Sequence, residues 1–287
     1  MSDDLVKLLD LAEGSDLSSI KSVVSEILQV VNDPASGVAH LKKVVECDPP
    51  LSARILRRAN SALYGFRRKI SGIQEAIICI GFDSVKELAL SQKVGELFER
   101  SGDAYGYSRR QLWKHSVAVG VCAKLLYRRE FRERGDQAYA AGLLHDLGMI
   151  VEEEFIPDVF RQMLRLASTE KRNLFEAECT ALGYTHAEVG AGLAERWGLP
   201  AELVEAVRCH HQPEWAGGSN SVRMNLAIYV SNVICQARML GYGDAPASDP
   251  AVWSRSLEEL GVSAFAMELI VDEVVKQVAV METDGWF

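Results

Sequence analysis

Apolar residues recur at helical spacing along nearly the whole of this 287-residue chain. Leu51, Ile55, Ala59 and Leu63 stand four residues apart, and other stretches repeat the pattern with charged residues between the apolar ones. Such spacing places one apolar stripe along a helix, whereas a half-buried strand needs strict alternation, and the sequence contains no convincing alternating run. The pattern predicts an all-α protein folded as a multi-helix bundle.

Local signals divide this helical chain into segments. Aspartate followed by proline, at Asp48-Pro49 and at Asp249-Pro250, predicts helix starts, because aspartate caps free amides and proline suits the first turn. The glycine-containing polar run at residues 101–107 interrupts two apolar helical segments. We therefore predict a smaller N-terminal helical subdomain at residues 1–104 and a helical domain at residues 105–287.

Composition excludes several classes of protein. With 48% hydrophobic and 25% charged residues, the chain is an ordinary globular protein and not a disordered or collagen-like one. Its net charge of -9 argues against broad binding to nucleic acid, and no apolar stretch reaches the roughly 20 residues that span a bilayer. Six scattered cysteines without CxxC spacing argue against a zinc ribbon. We expect a cytoplasmic protein with reduced thiols and no membrane contact.

Five of the six histidines form one ordered series with an aspartate. A divalent metal bound through nitrogen and oxygen needs neutral imidazoles and a carboxylate that balances its charge. The pair His145-Asp146 stands in the apolar run at residues 142–148, where we expect one helix, and burying both side chains without a partner would be costly. Any one histidine alone is better explained as a core residue bonded to a backbone carbonyl. The series favours a shared cluster, formed by His115, His145, Asp146, His186, His210 and His211.

The order of these residues resembles the ligand set of the HD superfamily of phosphohydrolases, in which helices converge on one or two metal ions. The resemblance implies that His115 and His145 hold one ion, that Asp146 bridges two ions, and that the last three histidines of the series hold the second. Iron, manganese, nickel and zinc all stay open as the divalent metal, because histidine-rich sites accept several first-row metals.

Three departures from the superfamily pattern bear on catalysis. Asn232 stands where a carboxylate normally closes the ligand set, and it offers a carbonyl oxygen without charge. Met149 stands where relatives that cleave cyclic dinucleotides usually carry a lysine. After the pair His210-His211 the chain also lacks their Gly-Tyr-Pro segment. These departures imply weaker metal binding by the first two histidines of the series, and recognition of cyclic di-GMP in that manner is unsupported.

Upstream of the histidines, three runs are similar to the signature of the HDOD family, an HD-related output domain of bacterial signalling proteins. The runs are Asp48-Pro-Pro-Leu51, Ala59-Asn-Ser-Ala-Leu-Tyr64 and Ala76-Ile-Ile-Cys-Ile-Gly81. The resemblance covers roughly residues 17–215. It implies an all-α regulatory domain in which the catalytic set is often incomplete.

The resemblance leaves three hypotheses about function. The leading one is a bacterial signal-transduction module, noncatalytic or weakly catalytic, that acts with a signalling protein partner. The second is a metal-dependent phosphohydrolase or phosphodiesterase that acts on a nucleotide or cyclic dinucleotide through the histidine and aspartate cluster. The third is a pure protein-interaction scaffold. A nucleotide ligand is compatible with the first two.

A cluster of six cations precedes the histidine series: Arg54, Arg57, Arg58, Arg67, Arg68 and Lys69. One interpretation is a docking patch for an acidic protein, a nucleotide or RNA. The other is a solvated helix face on which arginine stems cover apolar surface. Asn60 lies within this segment, and we expect its side chain to bond the backbone or a neighbouring loop and not to act in catalysis.

Overall fold

The protein is helical almost throughout, as the apolar spacing predicts. The computed structural model describes residues 2–15, 17–32, 38–61, 64–99, 103–170, 172–213, 221–242, 249–283 and 285–287. Within these residues the strands are limited to one antiparallel hairpin of two residues on each side. No helix in these ranges has the length and apolar character that crossing a membrane requires.

Two compact units make up the chain, one formed by residues 16–97 and the other by residues 1–15 together with residues 98–287. This division differs from the predicted boundary at residue 104 in two places. The first helix belongs to the larger unit, because Leu9 packs against Gly192. Residues 98–104 also belong there, since the Phe98 ring lies 5.1 Å from the Trp113 ring.

The described residues of the smaller unit form a bundle of five helices, which follows the first helix of the chain. Its core is built by apolar residues at helical spacing, such as Leu51, Ile55 and Ala59, which are fully buried. The predicted helix start at Asp48 is confirmed, since its carboxylate accepts a hydrogen bond from the Leu51 amide at 3.0 Å. The helices of this part are α1 (Asp3–Glu13, in the larger unit), α2 (Leu17–Asn32), α3 (Val38–Glu46), α4 (Pro49–Ala59), α5 (Ile73–Ile80) and α6 (Phe82–Gly95), with a 3-10 turn at Glu96–Phe98.

The larger unit begins with the hairpin and continues with helices to the C-terminus. The predicted start at Asp249 is confirmed, since its carboxylate accepts from the Ala251 amide at 2.7 Å. The elements are β1 (Asp103–Ala104), β2 (Tyr107–Ser108), α7 (Arg109–Leu126), a π-helical turn (Tyr127–Phe131), α8 (Asp136–Leu144), α9 (Leu147–Phe155), α10 (Pro157–Glu170), α11 (Leu174–Ala181), α12 (His186–Arg196), α13 (Ala201–Cys209), α14 (Ser221–Ala237), α15 (Pro250–Leu260) and α16 (Ala264–Thr283).

Helix α7 lies at the centre of this unit and packs against α8, α14 and α16. Glycines set the closest helix approaches. A Cβ added to Gly142 would lie 2.4 Å from the Cα of Gly120, so α8 reaches α7 only because both positions lack a side chain. A Cβ on Gly148 would lie 1.9 Å from the carbonyl oxygen of His186, which brings α9 equally close to α12. These close contacts bring together the helices that carry the histidine series.

Candidate metal centre

The histidine and aspartate series folds into one buried cluster. Its potential ligand atoms form two groups, and within each group all of them lie within 4.8 Å of one another. We call the group of His115, His145 and Asp146 the His115 half. We call the group of Asp146, His186, His210 and His211 the His186 half. Asp146 belongs to both halves, as expected for a bridging carboxylate.

His145 and Asp146 lie at a break between two helices, so the expectation of one continuous helix there is wrong. Helix α8 ends at Leu144 and α9 begins at Leu147. The physical reason is local: the His145 Nδ1–H donates to the carbonyl oxygen of Gly142 at 2.8 Å, and a continuing helix would give that carbonyl to the next turn. The break directs the other ring nitrogen of His145 towards Asp146.

His210 repeats this arrangement at the end of α13. Its Nδ1–H donates to the carbonyl oxygen of Val207 at 2.6 Å. In both histidines the other ring nitrogen, Nε2, lies close to the Asp146 carboxylate, at 3.1 Å for His145 and 3.3 Å for His210. Both Nε2 atoms are buried and make no hydrogen bond of acceptable geometry with any described residue.

The charge of Asp146 completes this arrangement. Burial by itself raises the pKa of the carboxyl, but its close approach to the His145 and His210 rings outweighs burial and holds the pKa well below its usual range. Burial lowers the pKa of His210 to about 4, so its ring is neutral at physiological pH. Two ring nitrogens thus lie beside a carboxylate in a buried site, and a divalent cation between them would satisfy all three groups.

His186 is held by a carboxylate that the sequence analysis missed. Its Nδ1–H donates to Glu178 at 2.7 Å, and its backbone amide donates to the same oxygen at 2.9 Å. This makes Nδ1–H the donor to Glu178 and turns Nε2 towards the cluster. His186 Nε2 lies 2.9 Å from Nε2 of His211, so the two nitrogens are close enough to share one ion. The spacing of Glu178 in α11, four residues after buried Leu174, places it on the buried face of that helix but does not indicate its contact with His186.

A second buried acid lies behind this pair. Glu152 of α9 is fully buried, and neither of its carboxylate oxygens has a hydrogen-bond partner in the described structure. Burial and the neighbouring charge of Glu178 raise its pKa well above the usual range. Glu152 is therefore the acid of this pair that holds its proton more readily, while Glu178 is the one that contacts His186.

The His115 half is closed by an amide. Asn232 of α14 lies 2.8 Å from Nε2 of His115 through its Oδ1 atom, while Nδ1 of His115 lies 3.3 Å from the carbonyl oxygen of Leu240. Burial lowers the pKa of His115 to about 4, so this ring is also neutral. The structure places Asn232 at the cluster, as predicted. Its Oδ1 atom lies beside Nε2 of His115, the ring nitrogen that a metal would need.

The cleft above the cluster is narrow. It is lined by Met149, Leu174 and Tyr242 together with members of the cluster, and its free volume is about 10 Å³. That is room for about one water-sized sphere. Met149 lines this cleft with a thioether, which carries no charge that can bind a phosphate.

The six residues of the cluster fit a divalent metal. Imidazole nitrogens with a carboxylate suit zinc, iron, nickel and manganese, and two ring nitrogens lack another partner among the described residues.

The six cations that precede the histidine series lie in the smaller unit and not at this cluster. The role predicted for Asn60 in the same segment is confirmed, because its side-chain amide bonds both backbone groups of Ile70.

Comparison with known proteins identifies relatives of two kinds. An uncharacterised protein of Treponema pallidum (strain Nichols) is 27% identical over 201 residues, which cover 68% of this chain and 38% of that protein. Ribonuclease Y of Deinococcus radiodurans is 27% identical over 207 residues, which cover 71% of this chain and 28% of that protein. The chain thus spans less than half the length of either relative.

Solved structures share the fold over most of the chain. An HDOD domain protein with unknown function from Geobacter sulfurreducens superposes with a TM-score of 0.79 at 29% identity, covering 93% of this chain and 92% of that one. A candidate signal transduction protein from Marinobacter aquaeolei VT8 gives 0.78 at 25% identity, covering 92% and 58%. A family model of the HDOD domain matches residues 17–213, which is more than half of the sequence. The chain therefore belongs to the HDOD domain family.

Proposed function

We propose that this chain is a regulatory HDOD module of bacterial signal transduction whose buried cluster binds a divalent metal and turns over substrate weakly or not at all. Similarity to the candidate signal transduction protein of Marinobacter aquaeolei VT8 supports the signalling role. In this proposal the module acts with a signalling protein partner, and the metal stabilises the domain or senses a ligand.

The observation that carries the metal-binding part is the orientation of two buried histidines. His145 and His210 each donate Nδ1–H to a backbone carbonyl and direct Nε2 at the Asp146 carboxylate. A divalent cation between these two nitrogens and the carboxylate would satisfy all three buried groups. His186, whose Nδ1–H donates to Glu178, adds a third ring nitrogen.

Two features argue for weak turnover. The His115 half has an amide at Asn232 where a carboxylate would balance the charge of a second ion. The cleft offers no cation at Met149 for a phosphate group, and its free volume of about 10 Å³ is room for about one water-sized sphere. A two-metal hydrolase needs both ions and groups that bind the phosphate oxygens.

A second function, metal-dependent hydrolysis of a phosphodiester, is favoured by the completeness of the His186 half and by similarity to Ribonuclease Y of Deinococcus radiodurans. A bound ion would supply Lewis-acid activation of a phosphate oxygen. The residues of the chain would position it: Glu178 orients His186, and the backbone carbonyls of Gly142 and Val207 orient His145 and His210.

Metal content and turnover distinguish these functions. Protein purified without a histidine tag is loaded with Mn²⁺, Fe²⁺, Ni²⁺ or Zn²⁺, dialysed and analysed for bound metal per chain. The loaded protein is then assayed on cyclic dinucleotides, bis(p-nitrophenyl) phosphate and RNA. Bound metal without turnover supports the regulatory module, and turnover that Asp146→Ala abolishes establishes the hydrolase. A protein that retains none of the four metals contradicts both.

Asn232→Asp tests the reason given for weak turnover. A carboxylate at this position would balance the charge of an ion in the His115 half, so we expect the affinity for a second Mn²⁺ to rise about tenfold or more. Isothermal titration calorimetry measures the change, and Asn232→Leu, which removes the oxygen while keeping the volume, serves as the control. Equal affinity in all three proteins would show that Asn232 does not limit this half.

A further inference from the structure

The cation-rich end of α4 and the loop after it form an exposed surface in the smaller unit. Arg57, Arg67 and Lys69 are exposed and make no ion pair with any residue that the structure describes. Arg68 differs, because it pairs with Glu75. The three unpaired cations are therefore available to a ligand with negative charge.

Asn60 ties the loop that carries Arg67 and Lys69 to the end of α4. Its side-chain amide donates to the Ile70 carbonyl oxygen at 2.8 Å, and its Oδ1 accepts from the Ile70 amide at 2.7 Å. Asn60 also donates to the Leu56 carbonyl oxygen at 2.7 Å. Because Arg57 stands one turn before Asn60 and Lys69 directly precedes Ile70, this clamp brings the loop cations to the end of the helix that carries Arg57.

Two aromatic rings stand among the cations. The rings of Tyr64 and Phe66 are nearly parallel, at 5°, with centroids 6.5 Å apart. Phe66 is 43% exposed. Gly65 between them has a φ of 60°, in the left-handed region that glycine tolerates. A flat apolar face is thus presented to solvent directly before Arg67.

The charge of the chain is distributed unevenly. Residues 16–97 contain 11 Lys and Arg against 9 Asp and Glu, whereas the rest of the chain contains 20 against 31. The net charge of -9 therefore comes from the larger unit, and six of the 11 cations of the smaller unit lie within residues 54–69. A polyanion that avoids the protein as a whole can still be attracted to this surface.

We propose that this surface, formed by Arg57, Tyr64, Phe66, Arg67 and Lys69, binds single-stranded nucleic acid. Unpaired bases stack on exposed aromatic faces while the phosphates contact neighbouring cations, and such binding needs little sequence preference. An acidic peptide would use the cations and leave the flat face of Phe66 without a role. The proposal is independent of the metal centre, so either can fail alone.

Fluorescence anisotropy tests the proposal on the full chain. The probes are labelled oligouridylate and oligothymidylate of about 12 nucleotides, a duplex of the same length, and a polyglutamate peptide. We expect the single strands to bind and the duplex and peptide to bind at least tenfold more weakly. With three phosphate contacts, the slope of log K against log salt for the single strands should be about -2. The two single strands distinguish RNA from DNA as the source of the ligand.

Variants separate stacking from charge. Phe66→Leu keeps an apolar side chain but removes the flat face, so it should weaken single-strand binding roughly tenfold, whereas Phe66→Tyr should retain it. Arg67→Ala with Lys69→Ala should weaken binding at least tenfold and make the salt slope shallower. The matched control is Arg161→Ala with Arg165→Ala, two exposed arginines of α10 in the larger unit, which should bind as the parent does.

The outcomes decide the proposal either way. It is overturned if no single strand binds, if the duplex binds as tightly as the single strands, or if Phe66→Leu and the double cation variant bind as the parent does. Tight binding of polyglutamate alone would assign the surface to an acidic protein partner instead. Circular dichroism spectra and melting curves identify any variant that has lost its fold, and the exposed position of Phe66 makes such loss unexpected.

Discussion

The two halves of the metal centre share Asp146 but hold their histidines differently. In the His186 half, a buried carboxylate, Glu178, accepts the Nδ1–H of His186 and fixes its tautomer. In the His115 half, Nδ1 of His115 lies 3.3 Å from the carbonyl oxygen of Leu240, and its Nε2 lies beside the Oδ1 atom of Asn232. Helices can thus bring ligands together equally well in both halves, while charge balance and outer hydrogen bonds favour metal binding in the His186 half.

Removing the ligand that the two halves share should have a greater effect than any other change proposed below. Asp146 is the only carboxylate that either half contains among the described residues, so Asp146→Ala should abolish retention of metal by both. Elemental analysis after dialysis measures this. Asp158→Ala, at an exposed position of α10, is the control and should keep the parent's metal content. If the Asp146→Ala protein retained metal at the parent level, Asp146 would not be the shared ligand of the two halves.

Gly148→Ala tests the packing that supports the His186 half. The added Cβ would lie 1.9 Å from the His186 carbonyl oxygen, so α9 must move away from α12. We expect a loss of about 3 kcal/mol in the free energy of unfolding, measured by chemical denaturation. Gly14→Ala, whose Cβ would meet only ordinary contacts in the same unit, should change the free energy of unfolding by less than about 1 kcal/mol. Equal stability of the two variants would contradict the close approach.

Glu178→Gln sharpens the comparison by removing the negative charge behind His186. Metal affinity should fall by roughly 10- to 100-fold, the usual effect of losing such an outer carboxylate. Titration with Mn²⁺ or Zn²⁺ measures the loss, which should be confined to one ion if two bind. Glu176→Gln, at an exposed position of the same helix, is the control. An unchanged affinity would mean that Glu178 serves the fold and not the metal.

The pH dependence of stability probes one buried histidine from each half. Burial lowers the folded-state pKa of His115 and of His210 from 6.5 to about 4. Each lowered pKa means that the unfolded chain binds a proton more readily than the folded protein does. The contribution of each buried neutral ring to the free energy of unfolding is therefore fully present above pH 6.5 and is lost as the pH falls towards 4. For the metal-free protein we expect a loss of about 1.4 kcal/mol per pH unit from each histidine.

Denaturation curves between pH 4 and 7 measure this loss. Asn232→Leu removes a hydrogen-bonding neighbour from His115 and leaves His210 in place, so it separates the two contributions. A stability of the metal-free protein that does not change between pH 6.5 and 4 would show that neither histidine is buried as a neutral ring.

Much of the fold and of the cluster was predictable from the sequence. Helical spacing predicted the all-α fold, aspartate-proline pairs predicted two helix starts, and the order of the histidine series predicted the members of the cluster. Two features were not predictable from local patterns. The helix break at His145 arises because the imidazole captures the Gly142 carbonyl, and an apolar run gives no sign of it. The role of Glu178 depends on a contact with His186, eight residues further along the chain.

Residue types and their spacing follow from the amino-acid sequence alone: a helical chain, five histidines and an aspartate in order, and an asparagine where a charge is expected. The folded structure was needed to establish which nitrogen of His145 faces Asp146, which acids lie behind His186, and how little room the cleft leaves beside Met149. The physical reason is that metal binding depends on tautomer, charge balance and desolvation. Each of these is set by neighbours that helix packing brings together from distant parts of the chain.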